Sequence, residues 1–276
     1  MKTFREAEKL QHWCDVRRMK GAKIALVPTM GYLHEGHLSL IEAAKKRGAD
    51  EVVVSVFVNP VQFGPNEDYA TYPRDEKADT AKCRRAGATA LFLPSSESLY
   101  LPSHSTWVAE EALSTGYCGA RRPGHFRGVC TVVAKLFNIV HPHFAVFGQK
   151  DFQQAAVIKR MVRDLNYGID IIVAPIVRET SGLARSSRNT YLSAAEHDSA
   201  LALCAALETA RKAVPAPWGP LKKRIERDLV KAGLKPDYIE AASSATLDPV
   251  KRLEKGCVVL LAAFAGNTRL IDNAVM

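Results

Sequence analysis

No C-x-x-C pair occurs in the 276 residues, and the six cysteines (Cys14, Cys83, Cys118, Cys130, Cys204 and Cys257) stand no closer than twelve positions apart. That spacing supports neither a zinc knuckle nor a dithiol redox motif, so reduced, mostly packed thiols are expected. Long apolar runs are also missing. The longest, "CVVLLAAFA" at 257–265, is far too short to cross a bilayer and reads as a buried strand. The charged, amphipathic start "MKTFREAEKLQHW" has no signal-peptide h-region, so a cytoplasmic protein without a membrane partner is expected. No G-x-G-x-x-G follows a strand-like run, which removes the dinucleotide fingerprint. "GARRPGHF" imitates the spacing of a P-loop, but His125 and Phe126 stand where that motif needs lysine and a hydroxyl residue.

Charge of one sign is more abundant. Lys and Arg total 38 against 29 Asp and Glu, a net charge of +9, which suits nucleic acid or a site for polyanionic small molecules. The cations form separated clusters, not a stripe, and aromatics are only 8% and not interleaved with them. A nucleic-acid surface combines both features, so small polyanions are the favoured partner and RNA binding the rival. Hydrophobic residues at 47% and charged residues at 24% are ordinary for a globular chain with a substantial core.

Strand and helix signals alternate through the first two-thirds. Thr3 and Glu6 have capping-box spacing before a helical stretch. "AKIALVPT" is a buried-strand run ending near Pro28, "GHLSLIEAAKKRG" a helix with cations in its last turn, and "EVVVSVFVNP" a strand covered on both faces. A helix over 73–87, the strand "ATALFLP", a helix from Gly128 to about Pro142, "HFAVFG", a helix from Lys150 and "IDIIVAP" follow. This pattern predicts a Rossmann-like parallel α/β sheet with right-handed crossovers. From about residue 178 the pattern changes to two helices and three short strands. The expected organisation is therefore residues 1–178 as one domain and 179–276 as a smaller α+β lid. No internal repeat or low-complexity segment is present.

"PTMGYLHEGHLSL" (28–40) lies where the first core strand ends and a helix begins, the place where open parallel sheets bind ligands. Gly31 permits a tight turn and Gly36 a close backbone approach. His34 and His37, at i and i+3, share one face of a helical turn. As zinc ligands they lack a third partner, and "HEGH" is one residue short of H-E-x-x-H. As packing histidines they would do nothing. As donors to phosphate oxygens at a helix start they would stabilise developing negative charge, and this reading is favoured.

H-x-G-H after the first strand resembles the signature of the adenylyl-transferring superfamily that includes class I aminoacyl-tRNA synthetases and nucleotidylyltransferases. Six longer words, in order along nearly the whole chain, narrow the resemblance: "PTMGYLHEGHLSL", "FVNPVQFGPNEDYATYPR", "RPGHFRGV", "FGQKDFQQ", "SSRNTYL" and "TRLIDN". Together they resemble the pantoate–β-alanine ligase family. That resemblance implies an AMP-forming ligase: pantoate attacks ATP to give pantoyl adenylate and pyrophosphate, and β-alanine then displaces AMP to give pantothenate.

The resemblance also assigns residues. ATP contacts fall on Met30, Gly31, Tyr32, Leu33, His34, Glu35, Gly36 and His37, on Gly148, Gln149, Lys150 and Asp151, on Val177, and on Arg185, Ser186, Ser187 and Arg188. Catalytic roles go to His34, His37, Lys150 and Arg188. Pantoate would be held by Gln62, Gln154 and Asn59, with Gln62 also at the β-alanine position; a carboxamide both donates and accepts, which suits a hydroxy acid. Mg²⁺ would accompany ATP, mostly on its phosphates, with Asp79 as the one candidate protein ligand against the alternative of an exposed helix charge. The family is commonly dimeric, so a homodimer is expected. Two positions depart from the family's usual pattern, Ser181 for an aspartate and Arg185 for Met or Leu, both in the loop that would grip the β- and γ-phosphates. The alternative is a nucleotidylyltransferase of the same superfamily, which predicts extra cations in place of the two glutamines.

Overall fold

The β-branched run "EVVVSV" becomes the strand Glu51–Val56, buried except at its ends, and it sits inside a six-stranded sheet. A computed structural model of the chain describes residues 1–65 and 67–276. In chain order the first elements are β1 (Lys2–Phe4), α1 (Ala7–Met19), β2 (Ile24–Thr29), α2 (Glu35–Lys46), β3 (Glu51–Val56), α3 (Glu76–Ala86), β4 (Ala90–Phe92), α4 (Ser96–Leu99), α5 (Tyr117–Arg121), α6 (His125–Val140), β5 (Phe144–Gly148), α7 (Phe152–Asp164) and β6 (Asp170–Ala174). There follow α8 (Ala194–Ala213), β7 (Ala216–Pro217), α9 (Trp218–Lys231), β8 (Lys235–Ser243), β9 (Arg252–Leu253), β10 (Cys257–Ala265) and β11 (Thr268–Val275). Contacts divide the chain into one unit of Met1–Thr115, Gly119–Gln149 and Gln154–Pro175, and a second of Gly116–Cys118, Lys150–Gln153 and Ile176–Met276.

The first unit holds the sheet, in the order β1-β4-β3-β2-β5-β6. Every pairing is parallel, so this is the Rossmann-like α/β architecture the alternation predicts. The chain adds β3 and β4 on one side of β2 and then crosses to place β5 and β6 on the other. The switch point therefore lies between β2 and β5, where such sheets open a crevice beyond their carboxyl ends. Two features open it further. Pairing of β2 with β5 covers only Ala25↔Phe144 and Leu26↔Ala145, and Pro28 has no N–H to extend the ladder.

The chain start differs from expectation. Thr3 is not a helix cap: residues 2–4 form β1, paired with β4 at Lys2↔Ala90, Thr3↔Leu91 and Phe4↔Phe92. Backbone bonds at each end, Lys2 to the Thr89 carbonyl and Leu93 to the Phe4 carbonyl, both at 2.8 Å, satisfy more main-chain groups than a local cap would. Helix α1 starts at Ala7 with Glu6 at its N-cap and no side-chain capping bond. Helix α6 also starts early, at His125 and not at Gly128.

The second unit is built on an antiparallel sheet, β11-β10-β8. The apolar run 257–265 is its central strand, and burial on both faces explains why it shows no alternation. Leu203 and Leu207 of α8, Ile225 and Leu229 of α9, and Val259, Leu261, Leu270 and Ala274 of the sheet form one core. Among the described residues, no helix is long and apolar enough to cross a membrane.

Candidate active site

Residues 29–37 turn the end of β2 into the start of α2. Thr29 donates its hydroxyl to the Ser55 carbonyl at 2.7 Å and accepts from the Gly31 N–H at 3.3 Å. Gly31 adopts φ +87°, and a Cβ there would meet Val56 Cγ1 at 2.9 Å and Asp79 Oδ2 at 3.1 Å. Only glycine fits both demands. Tyr32 follows at φ 52°, a left-handed conformation that costs a non-glycine residue about 1–2 kcal/mol.

Asp79 holds that strained turn. Its two carboxylate oxygens accept the N–H groups of Tyr32 at 2.8 Å and Leu33 at 2.7 Å, and the residue is buried at 1% exposure. Burial pushes its carboxyl up, opposed by those two bonds and the charge of Lys82. One turn along α3, Lys82 donates to the Leu33 carbonyl at 2.6 Å. Asp79 is thus not an exposed helix charge: each of its oxygens already accepts one N–H of the turn. No group of three or more His, Cys, Asp or Glu side chains among the described residues could hold a metal ion. A magnesium ion held by three or more such side chains therefore does not fit the described residues.

The two histidines cap the helix reciprocally. His34, at the N-cap, accepts the Gly36 N–H at Nδ1 (3.1 Å), and His37 accepts the His34 N–H at its own Nδ1 (3.2 Å). Their rings lie 4.1 Å apart, centroid to centroid. An Nδ1 that accepts carries no proton, so the neutral imidazole of each carries its proton on Nε2. The residues that give up the helix's usual serine or aspartate cap therefore present two N–H donors at a helix N-terminus, where the macrodipole already favours anions. Glu35, Gly36 and His37 form the first turn of α2, and Met30 precedes the glycine of the turn.

Beside this turn, Gln62 donates Nε2 to Met30 Sδ at 3.0 Å. Asn59 donates Nδ2 to Gln62 Oε1 at 3.0 Å and to the Gly128 carbonyl at 3.1 Å. Both are buried, on the 3₁₀ turn Pro60–Gln62 and at its N-cap. Helix α6 lies directly against that turn: a Cβ on Gly128 would meet the Val61 carbonyl oxygen at 2.5 Å and Gln62 Cα at 2.8 Å.

His125 donates Nδ1–H to the Gln62 carbonyl (2.9 Å), which leaves its Nε2 to accept from Arg122 at 3.1 Å. Arg122 in turn forms a two-bond pair with Glu67, at 2.8 and 2.5 Å. Burial opposes the Glu67 charge, but the Arg122 bonds and charge win and hold its carboxyl below the usual range. Glu67, Arg122, Gly128 and Lys82 support the candidate site residues, and sequence reasoning missed all four. The word "RPGHFRGV" marks a segment expected to line the site, with His125 a weaker candidate, but names none of these partners.

The second unit gathers the cationic candidates. Lys150 lies in the 3₁₀ turn Gln149–Asp151, after Gly148 at the end of β5. Val177 and Arg185 are joined by an N–H to carbonyl bond of 2.9 Å, and Arg178 bridges Ala184, so 177–185 is a tight hairpin. Ser186 caps the turn Ser187–Tyr191 through the Arg188 N–H at 3.2 Å. Glu179 anchors the hairpin: it accepts from Asn189 at 2.9 Å and His197 at 2.8 Å, with Arg185 at 3.7 Å. Burial works against its charge, and these three partners hold its carboxyl down. Arg185, the unusual cation, therefore faces Glu179, while Ser181 is exposed. Gln154 is half-buried in the first turn of α7. The first unit thus brings together Met30, His34, His37, Asn59 and Gln62, and the second holds Lys150 and the Arg185–Arg188 loop.

A parallel sheet whose switch point carries an H-x-G-H helix start places the chain in the Rossmann-like class of α/β proteins. The family model described as pantoate-beta-alanine ligase matches residues 2–275, and the chain belongs to that family. A pantothenate synthetase of Anaeromyxobacter dehalogenans is 54% identical over 270 residues, covering 94% of this chain and 93% of that protein. One of Thermotoga petrophila is 48% identical with full coverage of both. Among solved structures, pantothenate synthetase of Thermus thermophilus matches with a TM-score of 0.89 at 40% identity over 99% of both chains. The pantoate-beta-alanine ligase of Francisella tularensis, complexed with beta-gamma ATP and beta-alanine, matches with a TM-score of 0.84 at 34% identity, over 100% of this chain and 97% of that one. These matches favour the ligase over the nucleotidylyltransferase alternative.

Proposed function

We propose that this chain condenses pantoate with β-alanine at the expense of ATP, releasing AMP and pyrophosphate. The observation that carries the reading is the reciprocal capping of α2 by His34 and His37, within a chain that matches the ligase family over residues 2–275. In the first step a pantoate carboxylate oxygen bonds to the α-phosphorus, and the bond from that phosphorus to the β-bridging oxygen breaks. Pyrophosphate leaves with the bonding pair. The Nε2–H groups of both histidines donate to phosphate oxygens, and Lys150, Arg188 and the hydroxyls of Ser186 and Ser187 take up charge on the departing group. Preorganised donors of this kind each lower the barrier by about 3 kcal/mol.

In the second step the β-alanine nitrogen bonds to the acyl carbon, the acyl C–O bond to AMP breaks, and the amine sheds a proton. Gln62 and Gln154 hold pantoate through both steps, with Asn59 fixing the Gln62 amide. Gln62 also faces the incoming β-alanine. Magnesium, brought by the triphosphate and not by a protein cluster, would offset phosphate charge when bound. The reading extends to residues 1–178 and 179–276 as two functional parts, the second a lid carrying the SSRN loop, and to a cytoplasmic homodimer.

The test is product stoichiometry with purified protein. One AMP and one pantothenate are expected per ATP consumed, only when pantoate and β-alanine are both present. ATP consumption that ignores pantoate would overturn the assignment. Light scattering on the eluting protein tests the dimer, expected at twice the 30.3 kDa chain mass.

A further inference from the structure

We infer that Asp272 and Asn273, consecutive residues of β11, are positioning residues for the first half-reaction: each fastens one of the two phosphate-handling segments of the second unit. The inference rests on the function proposed above. Neighbouring strand residues point to opposite faces of a sheet, and these two use both. Asp272 shares its face with Leu270 and Ala274, which pack in the core with α8. There it accepts two bonds from Arg178, at 2.7 and 3.0 Å. Arg178 also donates to the Gly182 carbonyl at 3.1 Å, and Cys204 of α8 donates to the same carbonyl at 2.8 Å. The hairpin that precedes Arg185–Arg188 is therefore fixed at both its root and its tip to one buried carboxylate and its partners.

On the other face, Asn273 donates Nδ2 to the main-chain carbonyl of Lys150 at 3.0 Å. Its own main-chain N–H donates to Asp272 Oδ1 at 2.8 Å, which ties the Asp272 carboxylate to the backbone that carries Asn273. Both residues are almost completely buried, at 2% and 0% exposure, although β11 is an edge strand. The turn Ser187–Tyr191 packs against that strand. A buried charged or amide group away from its partners is costly, so a buried Asp-Asn pair whose partners are a loop root and the carbonyl of the candidate catalytic lysine has a holding task. It sets the spacing between Lys150 and the hairpin within the unit. Pyrophosphate is present only in adenylation, so that step alone needs this spacing.

The experiment compares Asp272→Asn, Asn273→Ala and wild type in two separate half-reactions. One is single-turnover pantoyl-adenylate formation over a range of ATP concentrations. The other is transfer from prepared pantoyl adenylate to β-alanine without ATP. Melting temperatures are recorded alongside. Adenylation is expected to fall by roughly tenfold to a hundredfold in each variant, as for small misplacements of reacting groups, while the transfer step changes far less. Arg178→Lys combined with Asp272→Asn should be no worse than Asp272→Asn alone. If Asp272→Asn fails to fold, Asn273→Ala, which loses one hydrogen-bond donor, decides the question. Equal losses in both half-reactions, or no loss in either, would overturn the inference while leaving the proposed function standing. A wild-type protein inactive in both would instead overturn the function, and this inference with it.

Discussion

The Nδ1 atom of His37 accepts the main-chain N–H of His34 at 3.2 Å, and so fixes the tautomer of the ring to which the proposed function gives a phosphate contact. With Nδ1 occupied, the neutral ring donates only from Nε2. His37→Ala is expected to slow single-turnover adenylation by about 10²-fold or more. It should also lower stability by about 1 kcal/mol through loss of the hydrogen bond to the His34 N–H. His37→Asn keeps a capping oxygen without the distant donor, so it should regain stability but not rate. Thermal melts beside the kinetics separate the two effects.

Gly128→Ala puts a methyl group 2.5 Å from the Val61 carbonyl oxygen. Overpacking of this kind costs typically about 1–3 kcal/mol, and here the part displaced is the turn that carries Gln62. The KM for pantoate should rise several-fold, with the KM for ATP nearly unchanged. Steady-state kinetics with each substrate varied in turn is the check.

The Glu67–Arg122 pair gives a pH dependence of known sign. The folded state holds the Glu67 carboxyl below its ordinary 4.5, so the pair's contribution is present above that value and is lost as pH falls through the lower, folded one. The stability difference between wild type and Glu67→Gln, read from urea midpoints, should be constant from pH 7 to about pH 5. It should shrink on further acidification. A difference that grew toward low pH would contradict the pairing.

Arg185 stands 3.7 Å from Glu179 with a side chain 39% exposed, so their pair adds little to stability. Arg185→Met should shift unfolding free energy by no more than about 1 kcal/mol, because Asn189 and His197 still hold Glu179. Calorimetric melting of the two proteins measures this.

The strands and helices were legible because their signals are local. The run 51–56 and the apolar 257–265 carry burial in their own composition, and the helix after His37 carries its charge gradient. The edge strand 2–4 was not legible, since its partner Ala90–Phe92 is distant in sequence and nothing in "KTF" names it. The same distinction holds at the site. His34 and His37 announce themselves by spacing at a strand end. Asp79 looked like a helix-surface charge because its partners, Tyr32 and Leu33, lie 47 and 46 residues away. Gly128 and the His125–Gln62 contact depend on the same kind of long-range approach, 63 residues apart for the latter.

Activation of pantoate by adenylation is the step on which the proposed function rests. Exchange of labelled pyrophosphate into ATP, measured without β-alanine, reads that step alone. Exchange is expected with pantoate present and none without it, and His37→Ala should reduce it by about two orders of magnitude. Exchange that proceeds equally without pantoate, or that survives intact in His37→Ala, would contradict it.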